Sequence, residues 1–420
     1  MNYKRTKFTC YFAYLAMSSV FCLPPLLFAT FRELYGISYT LLGTLVLINF
    51  CTQLCVDLTF SFFGKYFNPH TMLRVMPLLT AAGMCLYAVI PAIFPQYAYA
   101  GLVVGTLAFS ISAGLAEVLV SPTVAALPSD TPDRDMSMLH SLYGYGLVGV
   151  VLISTVFLRL VGNRYWMYLT FFWAALPVVA AVLFMTSPLP PMDMSHAVQR
   201  GNGRSKYRTV GLILCMGCIF LGACAENTMS NWISVYTEKV LHMPKAWGDI
   251  FCMCLFAVLL ALTRTAYAKY GKNIFRVLCL GMAGSTFCYL IVAFVQNGTV
   301  SLLACVALGV CSSMLWPGTL IFMEENVPAV GVSAYALMAA GGDLGASLAP
   351  QAVGIIVDKV AATAWATRWS AASNLSPEDI GFKVGMLAVA ALPALGLVLL
   401  LYMKKYFKIK SGKNVQREEN

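Results

Sequence analysis

The sequence predicts an all-α polytopic membrane protein, with twelve transmembrane helices in two pseudo-symmetric six-helix halves. Three observations predict it. Of 420 residues, 59% are hydrophobic and only 11% charged, whereas a soluble domain carries a charged share of about a quarter. Charge-poor runs recur at the length of roughly 20 residues that crosses about 30 Å of hydrocarbon. One long polar connection then divides those runs into two sets of six.

The first span is expected at 8–31, after Lys4, Arg5 and Lys7. Its start has the charge pattern of a secretory signal, but the apolar part runs past Phe28 without an A-x-A-like site, so it reads as a helix of the mature chain. The second span is placed at 38–63. The apolar run 75–116 is too long for one crossing and is cut by "PAIFPQ", punctuation typical of a helix end, giving spans at 71–93 and 98–127. Spans five and six fall at 136–160 and 165–186, and spans seven and eight at 209–236 and 246–267. The run 277–323 is cut by "QNGT" into 273–295 and 299–322, and 331–357 and 380–403 complete the twelve. The domains that follow are an N-terminal half over 1–186, a linker over 187–208, a C-terminal half over 209–403 and a basic tail over 404–420.

Net charge is +10, and its distribution shows why. Most Lys and Arg fall on segments sharing one side with the termini, in groups such as Arg200, Arg204, Lys206 and Arg208, or Lys404, Lys405, Lys408 and Lys410. That is the positive-inside bias, which places both termini in the cytoplasm and the protein in the cytoplasmic membrane. The excess is therefore a topology signal, and nucleic acid is excluded as a partner. The 14 cysteines are scattered mainly through the spans and read as small core residues. Cys215 and Cys218 form a C-x-x-C without a second pair, so no metal site, cofactor or disulfide framework is expected. Asn297-Gly-Thr299 and Asn374-Leu-Ser376 match the glycosylation pattern, at a frequency expected by chance.

The halves carry parallel residues. Asp57-x6-Gly64-Lys65 closes span two as Arg264-x6-Gly271-Lys272 closes span eight, and Gly114-x7-Pro122 in span four matches Gly309-x7-Pro317 in span ten. Repeats six spans apart are the arrangement of transporters whose substrate site lies between two halves near the midplane.

Together, the twelve spans, the basic central linker and the loop "GKYFNPHTMLR" resemble the major facilitator superfamily. The loop departs from that superfamily's D-R-x-G-R-R pattern, with Gly64-Lys65 in place of Asp-Arg and Phe67 at the glycine. A narrower resemblance is to the sugar porters that include fucose permease. It is carried by "GLAEVLVSPTVAALP" in span four, "HSLYGYGLVG" in span five, "AENTMSNWISVYTEK" in span seven and "WPGT" in span ten. That branch has its proton-coupling carboxylate in the first helix, whereas 8–31 here holds no Asp or Glu. The resemblance implies a monomeric transporter of a small polar solute, with protons a candidate coupling ion by a route other than the first helix.

Acids inside a membrane usually face a cavity or a partner. Glu117, two thirds along span four without a basic residue in its own helix, is expected to bind solute, proton or both; the alternative is a carboxyl tying two helices together. Glu226, Asn227 and Asn231 share a face of span seven, bordered by Trp232. Acceptors, amide donors and an aromatic plate suit a polyol, and the alternative is an interhelical hydrogen-bond seam. His140 is a candidate proton relay beside Tyr143, a candidate for the solute. Asp343 in span eleven, Trp316 at the kink expected from Pro317, and Asn49 with Gln53 complete the expected substrate set. Asp57 and Arg264, with Lys65 and Lys272, are expected to gate the inner end by forming ion pairs that break as the halves rock; simple anchoring at the interface is the alternative.

The function expected is secondary active transport of a sugar or related polyol by alternating access. The rival is an exporter of amphipathic compounds on the same fold. An enzyme is not expected. The four histidines are dispersed, and H-E-x-x-H, G-x-S-x-G and phosphate-loop motifs are missing from the sequence. A sensor would need a signalling domain for which the linker and tail leave no room.

Overall fold

The computed structural model describes residues 3–63, 66–129, 132–191, 206–327, 332–373 and 375–418. Among these the chain is helical, and 12 helices are long and apolar enough to cross a membrane. In the N-terminal half they are α1 (Lys4–Tyr35), α2 (Tyr39–Phe63), α3 (Pro69–Ile93), α4 (Ala98–Ala125), α5 (Pro132–Val161) and α6 (Trp166–Thr186). In the C-terminal half α7 spans Lys206–Lys239 and α8 consists of Lys245–Gly248, a π-helical Asp249–Cys254 and Leu255–Tyr270. Beyond them lie α9 (Ile274–Phe294), α10 in two parts (Gly298–Ser312 and Pro317–Asn326), α11 (Val332–Ala361) and α12 (Pro377–Glu418).

The boundaries follow local chemistry. Asn68 caps α3 by accepting from the backbone N–H of His70 and Thr71, with Pro69 at the first helical position, where its missing N–H costs nothing. Asn297, within one of the glycosylation patterns, caps α10 through Val300 N–H. Gly36 ends α1 in the left-handed region at φ 64°, which glycine adopts without penalty. The break in α10 falls where a single kinked helix is expected. Pro317 has no N–H to give to the carbonyl of Ser313, so the ladder stops at Ser312 and resumes at Pro317. One helix was not expected: Ala364–Ala372, capped by Thr363, packs near the start of α12. α12 also continues beyond the expected span, to Glu418.

Because successive spans reverse direction, the N-terminus, the linker and the C-terminal end share one face, here the terminal face; the other is the far face. On the terminal face Thr6 donates to the carbonyl of Pro188 at the start of the linker. On the far face the end of α1 meets the start of α12 through an Arg32–Glu378 ion pair.

Within each half the helices pack through small residues. A Cβ on Gly105 of α4 would stand 2.5 Å from Tyr87 Cβ of α3, a backbone approach that membrane helices need because packing, not hydrophobic exclusion, drives them together. Between the halves the joining contacts lie on the far side. Asp358 of α11 accepts from the backbone N–H groups of Tyr39 and Thr40 at 3.2 and 2.6 Å, so it caps α2 across the boundary between halves. Tyr39 O–H donates to Glu378 at 3.0 Å. Lys245 Nζ donates to the α1 carbonyl of Leu26 at 2.6 Å and sits 3.6 Å from the fully buried Asp249. An aromatic seam of Phe28, Tyr39, Trp232 and Phe382 fills the space beside them, with Trp232 ring centroids 5.5–5.9 Å from the other three. Toward the terminal face Lys7–Asp135 and Tyr207 against Phe407 are contacts within a half, while Gly144 of α5 comes near Ala261 of α8, an added Cβ lying 3.5 Å from the alanine's. The pairing of polar groups between the halves is thus concentrated at the far end.

Candidate functional site

Between them the halves enclose a cavity of about 380 Å³. The N-terminal half supplies an aromatic wall in which Phe21 meets Tyr143 edge-on at 5.8 Å and lies 6.1 Å from Phe50. The C-terminal half supplies polar groups from α7, Glu226, Asn227, Ser230 and Asn231, facing Arg264 of α8, with Met253, Phe256 and Leu260 beside them.

The polar groups are held in place by their own helices. The amide of Asn231 donates to Asn227 O at 2.8 Å and that of Asn227 to Ala223 O at 3.2 Å, which leaves both side-chain carbonyls as acceptors on the cavity face. On the opposite wall Asn49 Oδ1 accepts from Ser110 of α4 at 2.6 Å, leaving its amide N–H groups available. Arg264 Nη2 donates to both Glu226 oxygens at 2.8 and 3.1 Å, and its Nε donates to the Ser313 carbonyl at 2.8 Å. That carbonyl is the one orphaned by Pro317. The proline in α10 thus fixes the guanidinium on α8, which in turn neutralises the acid on α7.

These placements sort the residues expected from sequence. Glu226, Asn227, Asn231, Tyr143 and Asn49 come together around the cavity. Trp232 does not line it. Its side chain is fully buried and its indole N–H donates to Pro350 O at 3.0 Å, so it belongs to the far-side seam. Gln53 is also buried, one turn beyond Asn49, against α4 at Gly114. Trp316 packs in the α10 break against Gly342 of α11, where an added Cβ would come within 2.3 Å of its ring.

Arg264 corrects an expectation: it lies in the cavity and not in the last turn at the mouth. α8 runs on to Tyr270, so Arg264 is six residues short of the helix end, and its side chain is turned toward α7. Lys272 is exposed in the turn between α8 and α9. Lys65 and the side chain of His140 lie outside the described residues.

Glu117 is exposed although it sits deep in α4. It does not face lipid. Its electrostatic neighbours are Tyr14 of α1, Asp57 of α2, Tyr143 of α5 and Asp343 of α11, which places it on the open space between the halves.

Sequence reasoning missed two parts of the arrangement. The apolar lining from Phe21, Phe50 and Phe256 carries no signal apart from the surrounding apolar helix. Asp249 did carry one, as an acid inside the expected span 246–267, the same signal that marked Glu117.

Two bundles of six helices around a central cavity, sealed on one side, are the architecture of a membrane transporter. The Major Facilitator Superfamily profile matches residues 8–350, and the chain belongs to that superfamily. Among solved structures it is similar to a D-xylose-proton symporter, with a TM-score of 0.77 and 15% identity over 96% of this chain and 98% of that one. An inward-open xylose transporter XylE from E. coli follows at a TM-score of 0.72 and 16% identity, covering 96% and 95%. The nucleoside transporter NupG gives 0.68 and 14%, covering 97% and 100%. No curated protein sequence matches. At these identities the likeness is one of fold.

Proposed function

We propose that the protein is a secondary active transporter of a sugar or related polyol in the cytoplasmic membrane, working as a monomer with both termini in the cytoplasm. On this topology the state described is open toward the cytoplasm. The observation that carries the reading is the cavity's two-sided chemistry. Asn227, Asn231 and the Glu226–Arg264 pair offer acceptors and donors at fixed positions, and Phe21, Phe50 and Tyr143 offer the aromatic faces on which a sugar ring stacks. The span-four and span-seven motifs resembling the fucose permease branch support the same solute class, and the xylose transporters among the neighbours agree with it. An exporter of amphipathic compounds would use the same cavity through Met253, Phe256 and Leu260.

The test is uptake of a labelled sugar panel into proteoliposomes. At least one sugar is expected to enter, and Asn231→Leu is expected to reduce its uptake about 10- to 100-fold, the effect of leaving a buried hydroxyl without its partner. Extrusion of amphipathic dyes with no movement of any sugar would replace this reading with the exporter.

A further inference from the structure

The short helix Ala364–Ala372 between α11 and α12 plays no part in the cavity just described, and its surface is unlike that of its neighbours. Thr363 caps it by accepting from Ala366 N–H, and of its 9 residues only Ala366 is buried. A helix of that length does not hold in water without support, and one buried alanine supplies little. Trp365 and Trp369, one turn apart, are 48% and 56% exposed, with ring centroids 5.7 Å apart. The exposed Arg368 stands beside them on the helix surface. Two uncovered indoles on so short a helix point to a surface that covers them.

What covers them follows from where the helix lies. The far interface of the bilayer is marked by exposed aromatics at helix starts, Tyr97 before α4, Tyr165 before α6 and Trp247 in the first turn of α8. That is the belt which amphipathic rings form at headgroup level. Of the tryptophans, Trp247, Trp365 and Trp369 are the exposed ones, and all three are on the far face. Ala362 and Thr363 alone separate the short helix from α11, and their N–H groups donate to Asp358 O and Val360 O at 3.3 and 3.0 Å. The helix is thereby kept at the level where α11 leaves the membrane. It packs on α12, whose exposed Leu387, Leu395 and Val398 lie along the hydrocarbon, so its indoles stand next to the lipid boundary.

We propose that Ala364–Ala372 is embedded in the headgroup region of the far leaflet, with Trp365 and Trp369 at the glycerol level and Arg368 on a phospholipid phosphate, and that it ties the far-side joint to the membrane. Indole suits that place because its body is apolar and its N–H finds acceptors among ester and phosphate oxygens. A guanidinium matches phosphate through paired N–H donors. The joint lies on either side of this anchor. Asp358, which caps α2, precedes it in the last turn of α11, and Glu378, which pairs with Arg32 of α1, follows it in the first turn of α12. Parting the halves on the far side tilts α11 and α12 against the bilayer and draws the indoles from the interface, so the leaflet resists that opening. The link to opening rests on the transport reading; the anchoring does not.

The test reads tryptophan emission in proteoliposomes whose phospholipid is brominated either near the headgroup or near the chain end. The emission of the two indoles is the difference between wild type and Trp365→Phe/Trp369→Phe, since the remaining tryptophans are common to both. That difference is expected to lose most of its intensity with bromine near the headgroup, to lose less with bromine near the chain end, and to resist iodide added to the water. Quenching by iodide alone would put the helix in solvent, and quenching by none of the three would put a protein partner or a second copy over it. Stronger quenching from the chain end would make the indoles ordinary lipid-facing side chains. Each of these results overturns the anchor. Distances between spin labels across the far face of the same vesicles read the link to the joint. Trp365→Ser/Trp369→Ser is expected to shift the population toward an open far side, and a distribution equal to the wild type overturns that link. Should the serine variant fail to elute as a single folded species, Arg368→Gln is read instead, with a smaller shift in the same direction expected. Neither readout requires a solute, so a sugar panel in which nothing moves removes the transport reading and leaves the anchor standing.

Discussion

The two ends of the groove between the halves are opposite in construction. On the far side the charged groups at the seam are paired, and pairing reaches across the boundary: Asp358 caps α2, Lys245 holds an α1 carbonyl and Glu378 receives both Arg32 and Tyr39. On the terminal side Glu117 is exposed, while Asp57 Oδ1 and Asp343 Oδ2 are buried with no hydrogen-bond partner among the described residues. Paired charges hold the halves together at the far side, and no such pair joins them through these three acids among the described residues. It follows that the halves are held together at the far side, by pairs that any opening of that side must break.

The far-side seam is most vulnerable at Lys245. Its side chain is 13% exposed, and its ammonium lies 3.6 Å from Asp249, which is fully buried. Lys245→Met leaves that carboxylate without its cation and is expected to cost about 3–5 kcal/mol, as removal of one partner of a buried pair does. A lowered melting temperature in detergent reads the loss, and adding Asp249→Asn restores most of it. A single variant that melts with the wild type would show that the pair does not hold the seam.

A milder break lies where α2 and α11 touch. A Cβ on Gly354 would stand 2.3 Å from the Tyr39 carbonyl oxygen and 2.8 Å from its carbon, and backbone cannot move aside as a flexible side chain would. Gly354→Ala is therefore expected to push the far ends apart by an overpacking cost of about 1–3 kcal/mol, a shift of roughly 5- to 150-fold between states. Distances between spin labels across the far face measure it, and a distribution matching the wild type would assign the closure to the ion pairs alone.

The same contrast explains what the sequence could reveal. The spans were legible because bilayer thickness sets their length and Pro, Gly and Asn mark their ends, as at Asn68-Pro69 and Asn297-Gly298. The face shared by Glu226, Asn227 and Asn231 was legible too, since 3.6-residue spacing fixes it within one helix. What joins different helices was not. The Arg264–Glu226 pair depends on how α8 is rotated against α7, and α8 carries a π-helical turn at Asp249–Cys254 that resets the direction of every later side chain. Trp232 shows the same limit. It borders the polar face in sequence, yet one residue's rotation carries it out of the cavity into the aromatic seam.

An ion pair on the open side that stays within one half is expected to matter least. Lys7 of α1 pairs with Asp135 at the start of α5, where Ser129 and Tyr11 also donate to the carboxylate. Hydrogen bonding from Lys7, and then from Ser129, holds the Asp135 carboxyl below its ordinary value of 3.8. A depressed carboxylate contributes its stability above that ordinary value and loses it as pH falls through the lowered one. Asp135→Asn is thus expected to lower the melting temperature slightly at neutral pH, with the gap to wild type closing in acid. Because the pair lies inside the N-terminal half, the far-face distances that respond to Gly354→Ala are expected to stay where they are. If Asp135→Asn moved them, the terminal side would be latched by ion pairs after all, and the asymmetry between the two gates would reduce to which of them is occupied at the moment.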